Sequence, residues 1–128
     1  MNLNDIARIN SRCRNGWKFE KEYFVLNFHT GLYKTINIDN KSCWKFILSY
    51  NFQNQIILHI NKYYINQEKG NYFSKGIGKT NILSKKKAIR KDINNLIEFT
   101  KVLTDDELMK FISNTYKDKF DYFSAVSN

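Results

Sequence analysis

The amino-acid sequence predicts an α+β fold, an antiparallel sheet of four or five strands followed by two C-terminal helices. Between residues 16 and 79, apolar residues alternate with polar ones in several runs, which is the pattern of β-strands. The breaks between the runs are about three to six residues long, whereas parallel strands need crossovers of a dozen residues or more. Beyond Ser84 the apolar residues recur at helical spacing. Strands followed by helices are typical of the α+β class, here as a single compact domain of residues 1–128.

Residues 1–15 are predicted to form a short helix or arm. Ile6, Ile9 and Cys13 follow helical spacing, and Arg8 and Arg12 fall on another face. The stretch is short, and polar residues inside it weaken the helical signal.

A meander of antiparallel strands is predicted for residues 16–79. The first strand is rich in aromatic residues and ends at a hairpin-type break before Gly31. The most regular alternation lies between Cys43 and Tyr50. Gly76 and Gly78 leave room for only a short fifth strand. The predicted strands are residues 17–28, 32–38, 43–50, 55–65 and the short 72–77.

Two helices are predicted within residues 84–117. Ser84 is a suitable N-cap for a helix from Lys85 to Leu103. Thr104 and Glu107 form a capping box that opens a second helix. Residues 124–128 are expected to fray. The apolar stripe of the first helix consists of Ile89, Ile93, Leu96, Ile97, Thr100 and Leu103.

Charge and composition narrow the class of protein. The formal net charge is +9, and two cysteines are too few for a disulfide framework. The N-terminus does not resemble a signal peptide, and no apolar run is long enough to span a membrane. We therefore expect a soluble protein of a reducing cytoplasm with no membrane partner. The abundant Asn, Ile and Lys are residues that AT-rich codons encode, which is compatible with a low-GC bacterium or its phages and plasmids.

A run of positive charge from Lys69 to Lys91 is the most informative feature of the sequence. Its 23 residues contain eight basic residues and no acid, whereas a compositional excess of lysine would scatter over the chain. Clustered like charge repels itself and usually faces a partner of opposite sign. The alternative is a solvated lysine face beside a flexible hairpin loop. The eight residues are Lys69, Lys75, Lys79, Lys85, Lys86, Lys87, Arg90 and Lys91.

The predicted ligand of this run is the phosphate backbone of a nucleic acid. Three lysines in the first turn of the predicted helix conflict with the helix dipole, and a bound phosphate would relieve that conflict. Tyr63 precedes the run and Tyr72 lies near its start, and both are candidates for stacking on unpaired bases, although aromatic residues on strands more often fill a core. A secondary basic patch could extend the surface if the N-terminus folds nearby. It consists of Arg8, Arg12, Arg14 and Lys18.

Catalytic, cofactor and metal motifs are weak by comparison. The segment Gly76–Thr80 resembles the end of a phosphate-binding P-loop, but Phe73 stands where the full motif needs a glycine. The cysteines and histidines share no zinc-ligand spacing. A metal-free ribonuclease based on His29 or His59 stays chemically possible. We expect no cofactor, no metal and no enzymatic activity.

The sequence thus predicts a small basic protein that binds nucleic acid largely independently of base sequence. The alternative is an inhibitor from a phage or another mobile element, such as an anti-CRISPR-type anti-defence protein that binds a host nuclease or its guide RNA. A nucleic acid or a nucleic-acid-processing complex is the expected partner in either case. The sequence leaves open DNA or RNA, single or double strands, and the oligomeric state.

Overall fold

The computed structural model describes residues 3–19, 31–66, 71–74 and 78–115. Within this part of the chain, an antiparallel sheet carries three helices, so the predicted α+β class is confirmed. The elements are α1 (Leu3–Arg12), β1 (Gly31–Asn37), β2 (Ser42–Tyr50), β3 (Ile56–Asn66), β4 (Asn71–Ser74), β5 (Lys79–Ser84), α2 (Ile93–Thr100) and α3 (Asp105–Thr115).

The first three strands form the predicted meander. Antiparallel pairing sets Leu32 opposite Leu48 and Leu48 opposite Leu58, so apolar side chains line up across the sheet. The turn between β1 and β2 is held by Asp39, whose carboxylate accepts a hydrogen bond from the amide of Lys41 at 2.7 Å. This bond lowers the pKa of Asp39. Such side chain-to-backbone bonds are how Asp residues form tight turns.

The outer edge of β3 is shared by two strands. Residues Tyr63–Asn66 pair with β4, and residues Ile56–Ile60 pair with β5. The strand β5 was not predicted, and the sheet extends to Ser84 rather than ending at residue 79. The sequence from Gly78 to Thr80 therefore leads into a strand and not into the helix that a P-loop requires. The predicted fifth strand corresponds to β4, with residues 75–77 outside the described part.

One face of the sheet packs against all three helices. Its central side chains are completely buried, and the helices contribute residues such as Ile9, Leu96 and Leu108 to the same core cluster. Burying apolar surface in this way is the main contribution to the stability of a domain of this size. The fully buried sheet residues on this face are Leu32, Phe46, Leu48, Leu58 and Ile60.

The N-terminal segment is fastened to the end of α2. The indole of Trp17 donates a hydrogen bond to the carbonyl of Leu103 at 2.9 Å, and Asn15 donates one to the carbonyl of Thr100 at 2.8 Å. The predicted N-terminal helix is confirmed as α1. The strand predicted for residues 17–28 lies mostly outside the described residues, and within the description only Lys18 forms a bridge, to Tyr33.

The first C-terminal helix begins eight residues later than predicted. Its N-cap is Asp92, whose carboxylate accepts a hydrogen bond from the amide of Asn94 at 2.9 Å, whereas Ser84 ends β5. An acidic cap suits the positive end of the helix dipole, and the lysines do not. Ile89, assigned to the apolar stripe, is instead fully exposed.

The second C-terminal helix matches its prediction at the N-terminus. The hydroxyl of Thr104 accepts a hydrogen bond from the amide of Glu107 at 3.3 Å, as in a capping box. Residues 116–128, which include the predicted frayed tail, lie outside the described part. Among the described residues, no helix is long and apolar enough to cross a membrane.

Candidate nucleic-acid interface

The C-terminal part of the basic run forms a loop between β5 and α2. We call residues 85–92 the lysine loop. Its five basic side chains are all exposed, and Lys79 is half-buried on β5. Lys69 and Lys75 lie outside the described residues, as does the side chain of Tyr72 on β4. The exposed basic residues of the loop are Lys85, Lys86, Lys87, Arg90 and Lys91.

The lysine loop is hydrogen-bonded to the turn between β2 and β3. The side-chain amide of Gln55 donates to the carbonyl of Lys85 at 3.1 Å. Asn54 and Ala88 share two bonds, one from the amide of Ala88 to the carbonyl of Asn54 at 2.9 Å and one from the Asn54 side chain to the carbonyl of Ala88 at 3.3 Å. The basic side chains therefore project from a backbone that is held at several points.

The turn itself, residues 51–55, is ordered by its own hydrogen bonds. The side-chain oxygen of Asn51 accepts from the amides of Gln53 and Gln55, both at 2.9 Å. Asn54 adopts a positive φ of 57°, a conformation that Asn tolerates better than most residues. We call this segment the display turn, because it holds Phe52 with 99% of its surface exposed.

Two large apolar side chains near the lysines are thus fully exposed to solvent. Phe52 lies on the display turn, and Ile89, at 102% relative exposure, lies in the lysine loop next to Ala88. Single exposed apolar residues are common on protein surfaces. Here both belong to loops that are hydrogen-bonded to each other, so exposed apolar and basic side chains lie on neighbouring loops.

A groove of about 540 Å³ separates the lysine loop from α2. Ala88 and Ile89 line one wall, and Asn95, Glu98 and Phe99 line the other. Its lining is mixed, because the basic residues Lys86, Lys87 and Arg90 line it together with the apolar residues.

Two acids near the groove limit where an anion can bind. Asp92 caps α2 and lies 3.7 Å from the guanidinium of Arg90, and Glu98 pairs with Lys101 at 3.0 Å. A phosphate bound in the groove would be repelled by these two carboxylates. Both acids line the groove together with Lys86 and Lys87, so the groove carries charges of both signs.

The start of α2 is held in place by the end of β2. The hydroxyl of Tyr50 donates to the carbonyl of Asp92 at 2.7 Å and accepts from the side chain of Asn95 at 3.1 Å. The lysine loop therefore has a fixed end as well as a fixed beginning.

The secondary basic patch is only partly brought to this surface. The guanidinium of Arg12 donates to the side chain of Asn94 at 2.5 Å, which places it beside the first turn of α2. Arg14 donates instead to the carbonyls of Ser11 and Cys13, both at 3.1 Å. Such bonds satisfy free carbonyl groups at the end of a helix.

The remaining members of the patch extend the surface less directly. Arg8 is exposed on α1. Lys18 pairs with β1, the sheet edge opposite β5, three strand spacings or roughly 14 Å away. Arg12 is thus the member of the secondary patch that the described contacts connect to the lysine loop.

Tyr63 lies far from the lysine loop along β3. It lies seven positions beyond Ile56, or about 23 Å at the rise of a strand. Its ring is half-buried, and the ammonium of Lys45 sits 5.1 Å from the ring centroid. This cation–π contact already uses one face of the ring. As a stacking candidate, Tyr63 would therefore belong to a second contact region near β4.

His59 occupies a packed position on β3. Its Nδ1 lies 2.8 Å from the hydroxyl of Thr80, and burial lowers its pKa. A methyl group at Gly78 would come within 2.7 Å of the His59 Nε2 atom. The backbone at Gly78 therefore lies so close to β3 that only a glycine fits without a shift. The contacts give His59 a role in fastening β5 to β3. His29, the other candidate for acid–base chemistry, lies outside the described residues.

The cysteines are buried thiols, and burial raises the pKa of both Cys13 and Cys43. In the described ranges, no group of three or more His, Cys, Asp or Glu side chains could hold a metal ion.

Comparisons of the chain with known protein families, curated proteins and solved structures found no match. Functional inference therefore depends on the chemistry of its own side chains. Ammonium and guanidinium groups bind phosphate oxygens, and exposed aromatic rings stack on bases. Both kinds of group are present at the paired lysine loop and display turn.

Proposed function

We propose that this protein binds nucleic acid largely independently of base sequence, with the lysine loop as the contact to the phosphate backbone. The observation that carries the proposal is the concentration of exposed cations on one hydrogen-bonded loop. The only acid in that loop, Asp92, is engaged as a helix cap. A fixed group of cations releases counterions when it meets a polyanion, which is the main source of sequence-independent affinity.

The kind of cation also favours weak sequence preference. Four of the five basic residues in the lysine loop are lysines, whose ammonium groups act as point charges. Recognition of particular bases relies more on the bidentate geometry of arginine. We include Lys69, Lys75 and Lys79 in the proposed contact surface because of their place in the basic run, and Arg12 extends it at the start of α2.

The test is fluorescence anisotropy with matched single-stranded DNA, duplex DNA and RNA at two salt concentrations. We expect the logarithm of the association constant to fall linearly with the logarithm of the salt concentration. The slope should be about 0.7 to 0.9 for each phosphate neutralised. The absence of binding to all three ligands at low salt would refute the proposal.

A second candidate function is inhibition of a host nuclease by a protein from a mobile element. The observation that favours it is the exposure of Phe52 and Ile89 beside the lysines, because aromatic anchors within a charged rim are typical of protein interfaces. Such an inhibitor would reduce cleavage by a purified RNA-guided nuclease, and it would show little affinity for free nucleic acid.

A further inference from the structure

We propose that Phe52 stacks on an unpaired base, so that the ligand of the lysine loop is single-stranded nucleic acid. This inference rests on the proposed function and narrows it to one class of ligand. It follows from the conformation of the display turn, its position beside the lysines and the chemistry of the phenyl ring.

The display turn holds Phe52 outward by a defined structure. Besides the two bonds to its side-chain oxygen, Asn51 accepts at its carbonyl from the amide of Asn54 at 3.1 Å and donates from its own amide to the carbonyl of Gln55 at 3.0 Å. Its side-chain amide also donates to the side chain of Gln55 at 2.9 Å. The backbone that carries the ring is therefore ordered before a ligand binds, which lowers the conformational entropy lost on binding.

The ring lies within reach of the lysine loop. Two residues of chain span at most about 7 Å, so the Cα atom of Phe52 is no farther than that from the Cα atom of Asn54. Asn54 is in turn bonded on both sides to Ala88, which follows Lys87 directly. One short stretch of ligand can therefore place a base on the ring and its phosphates on the lysines.

The combination favours single strands over duplexes. In a duplex the face of each base is covered by its neighbours, whereas a single strand offers both phosphates and free base faces. A phenyl ring has no hydrogen-bonding group with which to read a base edge, so stacking on Phe52 tolerates every base. This agrees with the point-charge character of the lysines.

The substitution Phe52→Trp makes the contact measurable by fluorescence. The two natural tryptophans, Trp17 and Trp44, are 2% and 4% exposed, so the introduced indole contributes the solvent-exposed emission. In Phe52→Trp we expect saturable quenching by single-stranded DNA and little change with the matched duplex. The control is Val102→Trp, at a position 61% exposed just beyond the C-terminal end of α2, which should not be quenched.

The affinity of Phe52 variants for nucleic acid tests the stacking contact independently of the quenching. We expect Phe52→Ala to bind single-stranded DNA roughly 5- to 100-fold more weakly, the range measured for one base–aromatic stack. Duplex binding and the slope of affinity against salt should stay unchanged because no charge is removed. Phe52→Tyr should retain single-strand affinity. Far-UV circular dichroism melts would verify that each variant is folded.

The outcomes separate this inference from the proposed function. Salt-sensitive binding with unquenched emission from Phe52→Trp and unaltered affinity in Phe52→Ala would overturn the stacking contact and leave phosphate binding standing. A preference for duplexes in the natural protein would also overturn it. No binding to any nucleic acid would overturn both proposals, and would direct attention to Phe52 as the anchor for a protein partner.

Discussion

Lys34 and Asp105 form an ion pair that joins the strand β1 to the first turn of α3. The ammonium of Lys34 also donates a hydrogen bond to the backbone carbonyl of Asn15. Only 9% of the Lys34 side chain is exposed, whereas 63% of the Asp105 side chain is exposed. One buried cation thus connects the sheet, the N-terminal segment and a C-terminal helix.

Removing the two partners of this pair should have unequal effects. We expect Lys34→Ala to lower the free energy of unfolding by about 1–3 kcal/mol, because it removes the packing of a side chain that is only 9% exposed together with both of its polar contacts. Asp105→Asn should cost less than about 1 kcal/mol, since an exposed carboxylate is well solvated. Urea denaturation monitored by tryptophan fluorescence measures both values. Equal losses in the two variants would contradict this interpretation.

Reversal of charge at the lysine loop should remove binding and preserve the fold. In the triple variant Lys85/Lys86/Lys87→Glu, we expect loss of affinity for nucleic acid and a salt slope reduced by about 2 in any residual binding to single strands. The exposure of all three side chains predicts a thermal midpoint close to that of the natural protein. Anisotropy and circular dichroism report the two quantities.

The matched control reverses the charge of three exposed lysines outside the lysine loop. Lys41, Lys101 and Lys110 lie on the β1–β2 turn, at the end of α2 and on α3. Their replacement by Glu changes the net charge by the same amount. Equal loss of binding in both triple variants would show that total charge, and not the lysine loop, determines affinity.

The start of α2 can be tested with two isoleucines four residues apart. Ile89 is fully exposed, and Ile93 packs against the core. Ile93→Asp should destabilise the protein by about 3 kcal/mol or more because it buries a charge. Ile89→Asp should change stability by no more than about 0.5 kcal/mol. A large effect of both substitutions would support a helix that includes residue 89.

Acid should destabilise the protein partly through His59. Burial lowers the pKa of His59 below its ordinary value of 6.5, so the unfolded chain gains a proton first as the pH falls. The contribution of the neutral imidazole is therefore complete above about pH 6.5 and declines as the pH falls toward the folded-state pKa. Between about pH 7.5 and pH 5.5, the natural protein should lose more stability than His59→Gln. An identical loss in both would refute this assignment.

The sheet could be predicted because its signals are local. Alternation of apolar residues and short breaks identified β1 to β3, whose pairing then follows from antiparallel geometry. The strand β5 escaped prediction because Lys79–Ser84 has only Ile82 and Leu83 as apolar residues. Its pairing with the free edge of β3 is a tertiary interaction that no local pattern reveals.

The error at the start of α2 has a specific physical cause. Lysine and alanine favour helices, so Lys85–Ala88 looks helical in isolation. In the folded protein, Gln55 bonds the carbonyl of Lys85, and Asn54 bonds both the amide and the carbonyl of Ala88. These carbonyl groups are therefore used by the display turn, and the helix begins only after them.

The sequence predicted the exposed lysines of the candidate site, but it did not predict the exposed Phe52 beside them. The exposure of the lysines followed from their sequence, because a run of one charge is not buried. Phe52 was missed because aromatic residues on or near strands are expected in the core. The available signal was an aromatic residue inside a turn of polar residues, between Asn51 and Asn54. Such a residue has no strand or helix to direct it inward.

The hydrogen bonds between the display turn and the lysine loop use the backbone of the loop and not its charged side chains. The side chains that make these bonds belong to Asn54 and Gln55, and Asn51 orders the turn beneath them. The charge of the surface and the hydrogen bonds that hold the loop are therefore supplied by different residues. A mutation can therefore add, remove or exchange a lysine of the loop without touching the side chains that hold the loop in place.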